Sequence, residues 1–281
     1  MKNVVIRSLS GIIYIAIIVG CILLGRNWFF GLTEALIVLG ISEYSRLKIF
    51  PDGSTSAESS FNVLYLLLAL ICGVSLCFLC YSIKSVCLES TIIGGLLTVA
   101  ALCGLLFMGV VNNSPGALKQ TLGTCFGLLY IATPLSLLNL VYSSGCTNPG
   151  WLLILVSLIC IWVNDTGAFC VGCTLGRHRL CVRLSPKKSW EGFWGGLILV
   201  VIGMAVYAVI AELNIAVYAA YGIVIAVFAT VGDLFESLLK RTAGVKDSGN
   251  LIPGHGGILD RIDSLLFVSY AILLMWMLEN V

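Results

Sequence analysis

The segment from Gly232 to Ser264 concentrates the side chains that phosphate chemistry uses. Its sequence is GDLFESLLKRTAGVKDSGNLIPGHGGILDRIDS, and long apolar runs lie on both sides of it. So many charged groups beside apolar segments are costly unless they have a use. Carboxylates and cations together suit a Mg²⁺ ion that carries polyphosphate oxygens. The charged residues behind this interpretation are Asp233, Asp247, Asp260, Asp263, Lys240, Arg241, Lys246 and Arg261.

Spacing within this segment agrees with a phosphate site. Asp260 and Asp263 are three residues apart, so a helix there would place both on one face. The glycine-rich part between Gly249 and Gly257 can bring backbone N–H groups close to phosphate oxygens. The alternative is a loop of mutually neutralising salt bridges, whose net contribution to stability would be small.

A second basic segment covers residues 173–190. It ends in Ser185-Pro186-Lys187-Lys188-Ser189, directly ahead of an apolar run. A proline-fixed turn there would present Lys187 and Lys188 before a helix N-terminus, which attracts anions. We therefore predict that this turn binds phosphate. The three arginines of the segment could instead serve only to contact anionic lipid headgroups: Arg177, Arg179 and Arg183.

Several polar residues interrupt apolar runs. Asp165 follows Asn164 inside such a run, where an unpaired carboxylate costs several kcal/mol. We favour a polar cavity for Asp165 over an ion pair with a cation of the following segment. Glu34 and Glu43 lie in an earlier run, and both could be inward-facing functional carboxylates. For Glu43 we favour a structural ion pair with Arg46, which is one helical turn away.

The chain has 12 cysteines, and most of them lie in apolar runs, where a thiol behaves as a small apolar group. Four residues follow the zinc-like spacing C-x2-C-x4-H-x2-C. Unligated thiols are the favoured interpretation, because the first cysteine lies at a predicted helix end and the last spacing is short. These residues are Cys170, Cys173, His178 and Cys181.

Composition indicates an integral membrane protein. The 281 residues are 59% hydrophobic and 11% charged, against about 45–50% and about 25% in soluble domains. A helix needs about 20 residues to cross a hydrocarbon core of about 30 Å. We predict an all-α, polytopic protein with about nine transmembrane helices, near residues 8–25, 28–45, 61–83, 91–111, 121–142, 151–172, 191–211, 215–232 and 264–279.

Two regions follow from this pattern. Residues 1–149 would form five N-terminal spans, and residues 150–281 a catalytic region with cytoplasmic loops at 173–190 and 233–263. All of the 16 Lys and Arg residues except Arg26 and Lys84 fall on one side of the nine spans. By the positive-inside rule that side is cytoplasmic, and the C-terminus falls outside. Glycines at the start of the seventh span favour close helix packing: Gly192, Gly195 and Gly196.

The polar positions carry a family resemblance. The pattern S-x-L-K-R-x4-K-D-x-G-x2-I-P-x-H-G-G-I-x-D-R-I-D, from Ser237 to Asp263, resembles the signature of the phosphatidate cytidylyltransferases. Asn164-Asp165 and the segments GRHRL and SPKKSWEG resemble a second block of that family, with Ser189 where threonine is common. The resemblance covers about residues 150–270, and the first five spans match only in hydropathy.

The resemblance implies the reaction of CTP with phosphatidate to give CDP-diacylglycerol and pyrophosphate. It also implies a Mg²⁺-dependent homodimer in the cell membrane, with the active site on the cytoplasmic side and metal held by Asp233 and Asp260. Asp247 and Asp263 would be further ligands or would support the ligands, and a second, monovalent cation has room beside them. No nucleic-acid partner is expected. The residues assigned to substrate, or to charge neutralisation during transfer, are Asp165, Ser185, Lys187, Lys188, Ser237, Lys240, Arg241, Lys246, His255 and Arg261.

Two rival functions remain open on the sequence. A CTP-dependent lipid kinase, such as a dolichol kinase, would also place acidic and basic residues at a membrane face, but it would release CDP. A transporter would also use intramembrane aspartate and broken helices; the concentration of charge at one face argues against it. If the protein is a cytidylyltransferase, we expect direct transfer of the cytidylyl group to phosphatidate, because the phosphate monoester is itself a nucleophile. We expect His255 to bind substrate and not to act as a nucleophile.

Overall fold

The computed structural model describes residues 2–47, 49, 58–83, 88–112, 116–142, 149–249, 251 and 256–280, and these are predominantly helical. Each of the nine predicted spans coincides with helix, so the all-α, polytopic prediction is confirmed. His255 and Lys84 lie outside the described residues. The elements are α1 (Lys2–Leu24), α2 (Arg26–Arg46), α3 (Glu58–Ser82), α4 (Leu88–Val111), α5 (Ala117–Gly127), a π-helical turn (Leu128–Ala132), α6 (Thr133–Tyr142), α7 (Gly150–Leu175), β1 (Arg179–Cys181), β2 (Ser185–Ser189), α8 (Trp190–Ile210), α9 (Ile215–Thr242) and α10 (Leu259–Glu279).

The predicted count of about nine spans is not confirmed. Seven helical runs in the described part of the chain are long and apolar enough to cross a membrane: Val63–Ser82, Leu88–Val111, Ala117–Tyr142, Gly150–Leu175, Trp190–Ile210, Ile215–Thr242 and Leu259–Glu279. Helix α1 contributes only the shorter apolar stretch Ser10–Leu24. Helix α2 is as long as a span, but it carries two arginines and two glutamates, which lower its hydropathy.

The chain forms two compact units. The first unit comprises Met1–Ser144 together with Thr242–Asp260, and the second comprises Gly145–Arg241 together with Arg261–Val281. The segment Thr242–Asp260, which holds much of the charged signature, therefore belongs with the N-terminal helices. Nothing in the sequence indicates this grouping.

Close backbone approach organises the first unit. A Cβ atom at Gly73 of α3 would lie 2.8 Å from Ile37 of α2, and one at Gly94 of α4 would lie 3.1 Å from the Leu79 backbone. Glycine at both positions lets these helices pack closely. The α-helical pattern between α5 and α6 is interrupted by the π-helical turn, which ends two residues before Pro134.

Glycines also bring the helices of the second unit together, which confirms the packing role predicted for the α8 glycines. A Cβ atom at Gly192 would lie 2.6 Å from the Ala168 carbonyl oxygen of α7, and one at Gly195 would lie 2.5 Å from Val171. Gly232 of α9 meets the backbone of α10, where a Cβ atom would lie 2.6 Å from the Asp263 carbonyl oxygen. The last contact sets two aspartate-bearing helices side by side.

A short hairpin joins α7 to α8. Strands β1 and β2 pair antiparallel, with Arg179 opposite Ser189 and Cys181 opposite Ser185. The predicted proline-fixed turn at Ser185–Ser189 is therefore wrong, because these residues form a strand. Proline is tolerated there since a two-stranded sheet consists only of edge strands.

Candidate active site

The second unit contains a cavity of about 530 Å³. Helix α7 supplies one wall, since lining residues recur along one helical face at spacings of three and four. The hairpin, the start of α8 and helix α9 supply the rest. The lining residues are Asn164, Asp165, Ala168, Phe169, Gly172, Cys173, Gly176, Arg179, Leu180, Lys187, Lys188, Ser189, Gly192, Phe193, Thr230 and Asp233.

This cavity has both charged and apolar walls. Its charged lining groups are Asp165 from α7, Arg179 from β1, Lys187 and Lys188 from β2, and Asp233 from α9. Phe169 and Phe193 line it from α7 and α8. A cavity with ammonium groups and aromatic side chains can accommodate a ligand that has an anionic head and an apolar body.

The charged groups form one electrostatic cluster. Lys188 Nζ makes an ion pair with Asp233 Oδ2, and about 30% of each side chain remains exposed (29% and 32%). Asp165 is repelled by Asp233 and attracted by Lys188 and Arg261. Asp263 is repelled by Asp233 and Asp165 and attracted by Lys188. Three carboxylates thus share few cations, and the cluster favours an added positive charge.

The position of Asp263 follows from helix packing. Gly232 permits backbone contact between α9 and α10, and the Ser264 hydroxyl donates to the Ala229 carbonyl oxygen at 3.1 Å. The Ser264 amide donates to Asp263 Oδ1 at 2.7 Å. Since Asp233 follows Gly232 directly, these contacts hold the two carboxylate-bearing segments together.

A Mg²⁺ ion fits the donor chemistry of Asp233 and Asp263. Mg²⁺ prefers oxygen ligands and is usually bound through one or two carboxylates, with water and substrate phosphates completing its shell. The described residues contain no group of three or more His, Cys, Asp or Glu side chains arranged to hold a metal. The second unit therefore offers a partial carboxylate shell and not an all-protein cage.

Ser189 and Glu191 fix the junction between the hairpin and α8. The Ser189 hydroxyl accepts from the Gly192 amide at 3.1 Å and caps α8. Glu191 accepts from the Arg177 and His178 amides at 3.1–3.2 Å, and its Oε1 lies 2.7 Å from His178 Nδ1. We expected the N-terminus of α8 to attract phosphate. One of its free backbone N–H groups, that of Gly192, instead donates to the protein's own Ser189 hydroxyl.

The zinc-like spacing does not converge in space. His178 pairs with Glu191, and Cys170, Cys173 and Cys181 form no disulfide. These four residues are not among any group that could hold a metal in the part of the chain that the structure describes.

A second cluster of carboxylates lies in the first unit. Glu43 of α2 is only 6% exposed, and its two carboxylate oxygens accept from the Ile258 and Leu259 amides at 2.9 and 3.0 Å. Asp260 Oδ2 accepts from the Ser248 amide at 3.1 Å and from the Gly257 amide at 2.9 Å. Two carboxylates therefore cap the N-terminus of α10 and the loop before it.

These contacts correct one prediction. No ion pair joins Glu43 to Arg46 in the described part of the chain, and the Arg46 side chain is exposed, because Glu43 points to the distant loop. The glycine-rich segment was expected to offer backbone N–H groups to phosphate. The Gly257 amide donates to Asp260, and the Ile258 and Leu259 amides that follow donate to Glu43. Residues 250 and 252–255 lie outside the described residues, so the expectation for the rest of the segment stays a prediction.

The remaining predicted site residues are divided between the units. In the second, Lys240 makes an ion pair with the buried Glu236, four residues earlier in α9. Ser185, Ser237, Arg241 and Arg261 also belong to the second unit, whereas Lys246, Asp247 and Asp260 belong to the first. His255, predicted to bind substrate, lies outside the described residues.

Sequence reasoning missed the aromatic wall of the cavity and the contacts of Glu43. A signal for the wall existed, because Phe169 is four residues after Asp165 and shares its helical face. Glu43 offered no such signal, since its partners are more than 200 residues away.

Fold and cavity define a polytopic helical membrane protein whose charged site is built from carboxylates and lysines. The chain belongs to the cytidylyltransferase family, whose sequence profile matches residues 5–278.

Three relatives carry the name phosphatidate cytidylyltransferase. The Staphylococcus saprophyticus protein is 42% identical over 133 residues, which are 47% of this chain and 51% of that protein. The Thermotoga maritima protein is 37% identical over 182 residues, covering 62% and 66%. The Bacillus subtilis protein is 45% identical over 117 residues, covering 41% and 44%. In most of these alignments the chain spans about half the length of the curated relative.

Proposed function

We propose that this protein is a phosphatidate cytidylyltransferase, which converts CTP and phosphatidate to CDP-diacylglycerol and pyrophosphate. Family membership and the names of the relatives support the reaction class. The observation that carries the proposal is the cavity that Lys187 and Lys188 line together with Phe169 and Phe193. A phosphatidate molecule has the matching chemistry, an anionic phosphate joined to apolar acyl chains.

In this proposal the phosphate of phosphatidate binds at Lys187 and Lys188. Its acyl-bearing end packs against Phe169 and Phe193, so the lipid does not leave an apolar environment completely. The phosphate monoester is largely dianionic at neutral pH, since its second pKa is about 6, and it therefore attacks the α-phosphate of CTP without a general base. Lys188 offsets the repulsion between the two anionic substrates.

Asp233 and Asp263 would hold Mg²⁺ in the second unit, and the prediction for Asp260 and Asp247 in the first unit also stands. When bound, the ion neutralises charge on phosphate oxygens. The contribution of the chain itself is to keep the two carboxylates together through the α9–α10 contact and to hold Lys188 beside them.

We also propose that the cavity opens toward the cytoplasm and that the protein is a homodimer in the cell membrane. The distribution of Lys and Arg along the chain supports the orientation. CTP is soluble and highly charged, so the reaction belongs where the membrane meets the compartment that holds the nucleotide.

The test uses purified protein in phosphatidate-containing vesicles with Mg²⁺ and CTP labelled in its α-phosphate. Label is expected in a lipid product, with pyrophosphate released. Lys188→Met should lower the rate at least a hundredfold, because it removes the cavity-lining ammonium that pairs with Asp233. Arg183→Met is the matched control, since Arg183 is exposed in the same hairpin segment and does not line the cavity. Release of CDP without a labelled lipid would support the lipid-kinase alternative and refute the proposal.

A further inference from the structure

Glu43 is a buried carboxylate that the proposed reaction does not use. It lies in α2, in the half of the chain to which the sequence assigned only membrane spans. Its carboxylate receives the Ile258 amide at 2.9 Å, the Leu259 amide at 3.0 Å and the Ser248 hydroxyl at 3.3 Å. Backbone amides at a helix N-terminus stabilise a negative charge. Among the described residues, no cation makes an ion pair with this carboxylate.

The loop is shaped around this carboxylate. A Cβ atom at Gly249 would lie 2.5 Å from Glu43 Oε1, and one at Gly257 would collide with both Glu43 and the Ser248 hydroxyl. Two glycines of the charged signature are therefore required by a residue outside that signature. The close fit indicates a specific contact, because a Cβ atom at either position would displace the Glu43 carboxylate, the Ser248 hydroxyl or the loop itself.

Ser248 joins Glu43 to Asp260. Its hydroxyl lies 3.3 Å from Glu43 Oε2 and 3.1 Å from Asp260 Oδ2. One hydroxyl carries a single proton, so the two carboxylates compete for the same donor. The Ser248 and Gly257 amides then fix Asp260 Oδ2 from the backbone side at 3.1 and 2.9 Å.

We infer that Glu43 is a positioning residue for the loop that carries Lys246 and Asp247 and for Asp260 at the start of α10. It fixes the start of α10 and orients Ser248, and Ser248 with its neighbouring amides holds the Asp260 carboxylate. The inference rests on the proposed function, which assigns these three residues to nucleotidyl transfer. The N-terminal helices would then contribute to the site's geometry in addition to crossing the membrane.

The first test is Glu43→Gln in the full-length protein in vesicles. Glutamine keeps the size of the side chain but places an NH₂ group against a backbone N–H, so at least one amide loses its acceptor. Hydrogen–deuterium exchange of the Gly257–Leu259 amides should become at least tenfold faster. The kcat for lipid labelling should fall tenfold to a hundredfold, with the KM for CTP within about threefold of the wild-type value. Glu89→Gln, which changes an exposed carboxylate of the same unit, should alter neither quantity.

Ser248→Ala and the double variant test the route from Glu43 to Asp260. If the hydroxyl transmits the effect, the kcat loss of Glu43→Gln/Ser248→Ala will be smaller than the product of the two single losses. If Glu43→Gln does not fold, exchange in Ser248→Ala decides instead, and unchanged protection of the Gly257–Leu259 amides overturns the inference.

Two results for folded Glu43→Gln overturn the inference directly. One is wild-type exchange together with wild-type kcat. The other is a loss of protection spread evenly through the helices of the first unit, which would mean that Glu43 affects only overall stability. A wild-type protein that transfers no cytidylyl group refutes the proposed function, and the exchange measurements still decide the role of Glu43 in the loop.

Discussion

Replacing Gly232 by alanine tests whether helix packing sets the spacing of the carboxylates. The new Cβ atom would lie 2.6 Å from the Asp263 carbonyl oxygen and 3.1 Å from Ser264 Cα, whereas ordinary contact begins at 3.4 Å. The backbones of α9 and α10 must therefore separate by about 0.8 Å at this point, the difference between 2.6 and 3.4 Å. Overpacking of this kind costs about 1–3 kcal/mol of stability.

The effect on activity should exceed the effect on folding. Asp233 and Asp263 flank this contact, and a displacement of about 1 Å at a reacting centre can cost about a hundredfold in rate. We expect Gly232→Ala to remain inserted and to lose tenfold to a hundredfold in the rate of lipid labelling from CTP. The melting temperature, measured in detergent, should fall.

Gly203→Ala is the matched control in the same unit. Nothing lies within 4 Å of a Cβ atom at Gly203, so the substitution adds no contact. It should raise stability slightly, because alanine favours a helix by about 1 kcal/mol over glycine. Wild-type activity in both variants would refute the view that the α9–α10 contact positions the two carboxylates.

Three further predictions concern charge, topology and mechanism. Asp233→Asn and Asp260→Asn should each remove nearly all activity without unfolding the protein, since a lost metal ligand costs several kcal/mol of transition-state stabilisation; a wild-type rate and wild-type Mg²⁺ dependence would exclude that residue as a ligand. Cysteine labels at positions 182 and 250 should react from the cytoplasmic side, and a tag after Val281 should be external; a cytoplasmic tag would require an even number of spans. Labelled pyrophosphate should not enter CTP without phosphatidate; exchange with cytidylate trapped on the protein would contradict direct transfer.

The helices were predictable because their signal is local. Long apolar runs predict membrane helices wherever they occur, and the runs from residue 63 onward fulfil this expectation. Helix α2 shows where hydropathy alone is not enough to assign a role to a helix. Its length suits a span, but its charged residues have uses that hydropathy does not describe. Glu43 is the clearest case, because it serves a loop more than 200 residues away in sequence.

Local reasoning failed where the partner is distant. Arg46 follows Glu43 by three residues, and helix geometry makes that pair plausible in isolation. The buried amides of Ile258 and Leu259 provide more donors to the carboxylate, but only the folded chain brings them near.

Strand β2 was not predicted from the sequence for a similar reason. Its sequence, SPKKS, lacks the β-branched and aromatic residues typical of strands, so pairing with β1 specifies it.

The hairpin between α7 and α8 bears on how the protein would bind the charged lipid of the proposed reaction. It is anchored where Ser189 caps α8 and where Glu191 receives the Arg177 and His178 amides. Lys187 and Lys188 therefore lie on a short hairpin strand whose end is fixed to α8, in contrast to lysines on a mobile lid. The segment that carries the two lysines loses its conformational entropy when the protein folds. Little further entropy is therefore lost when the ligand binds. Capture of the phosphate should accordingly be limited by lateral diffusion of lipid to the cavity and should need no slow closing step.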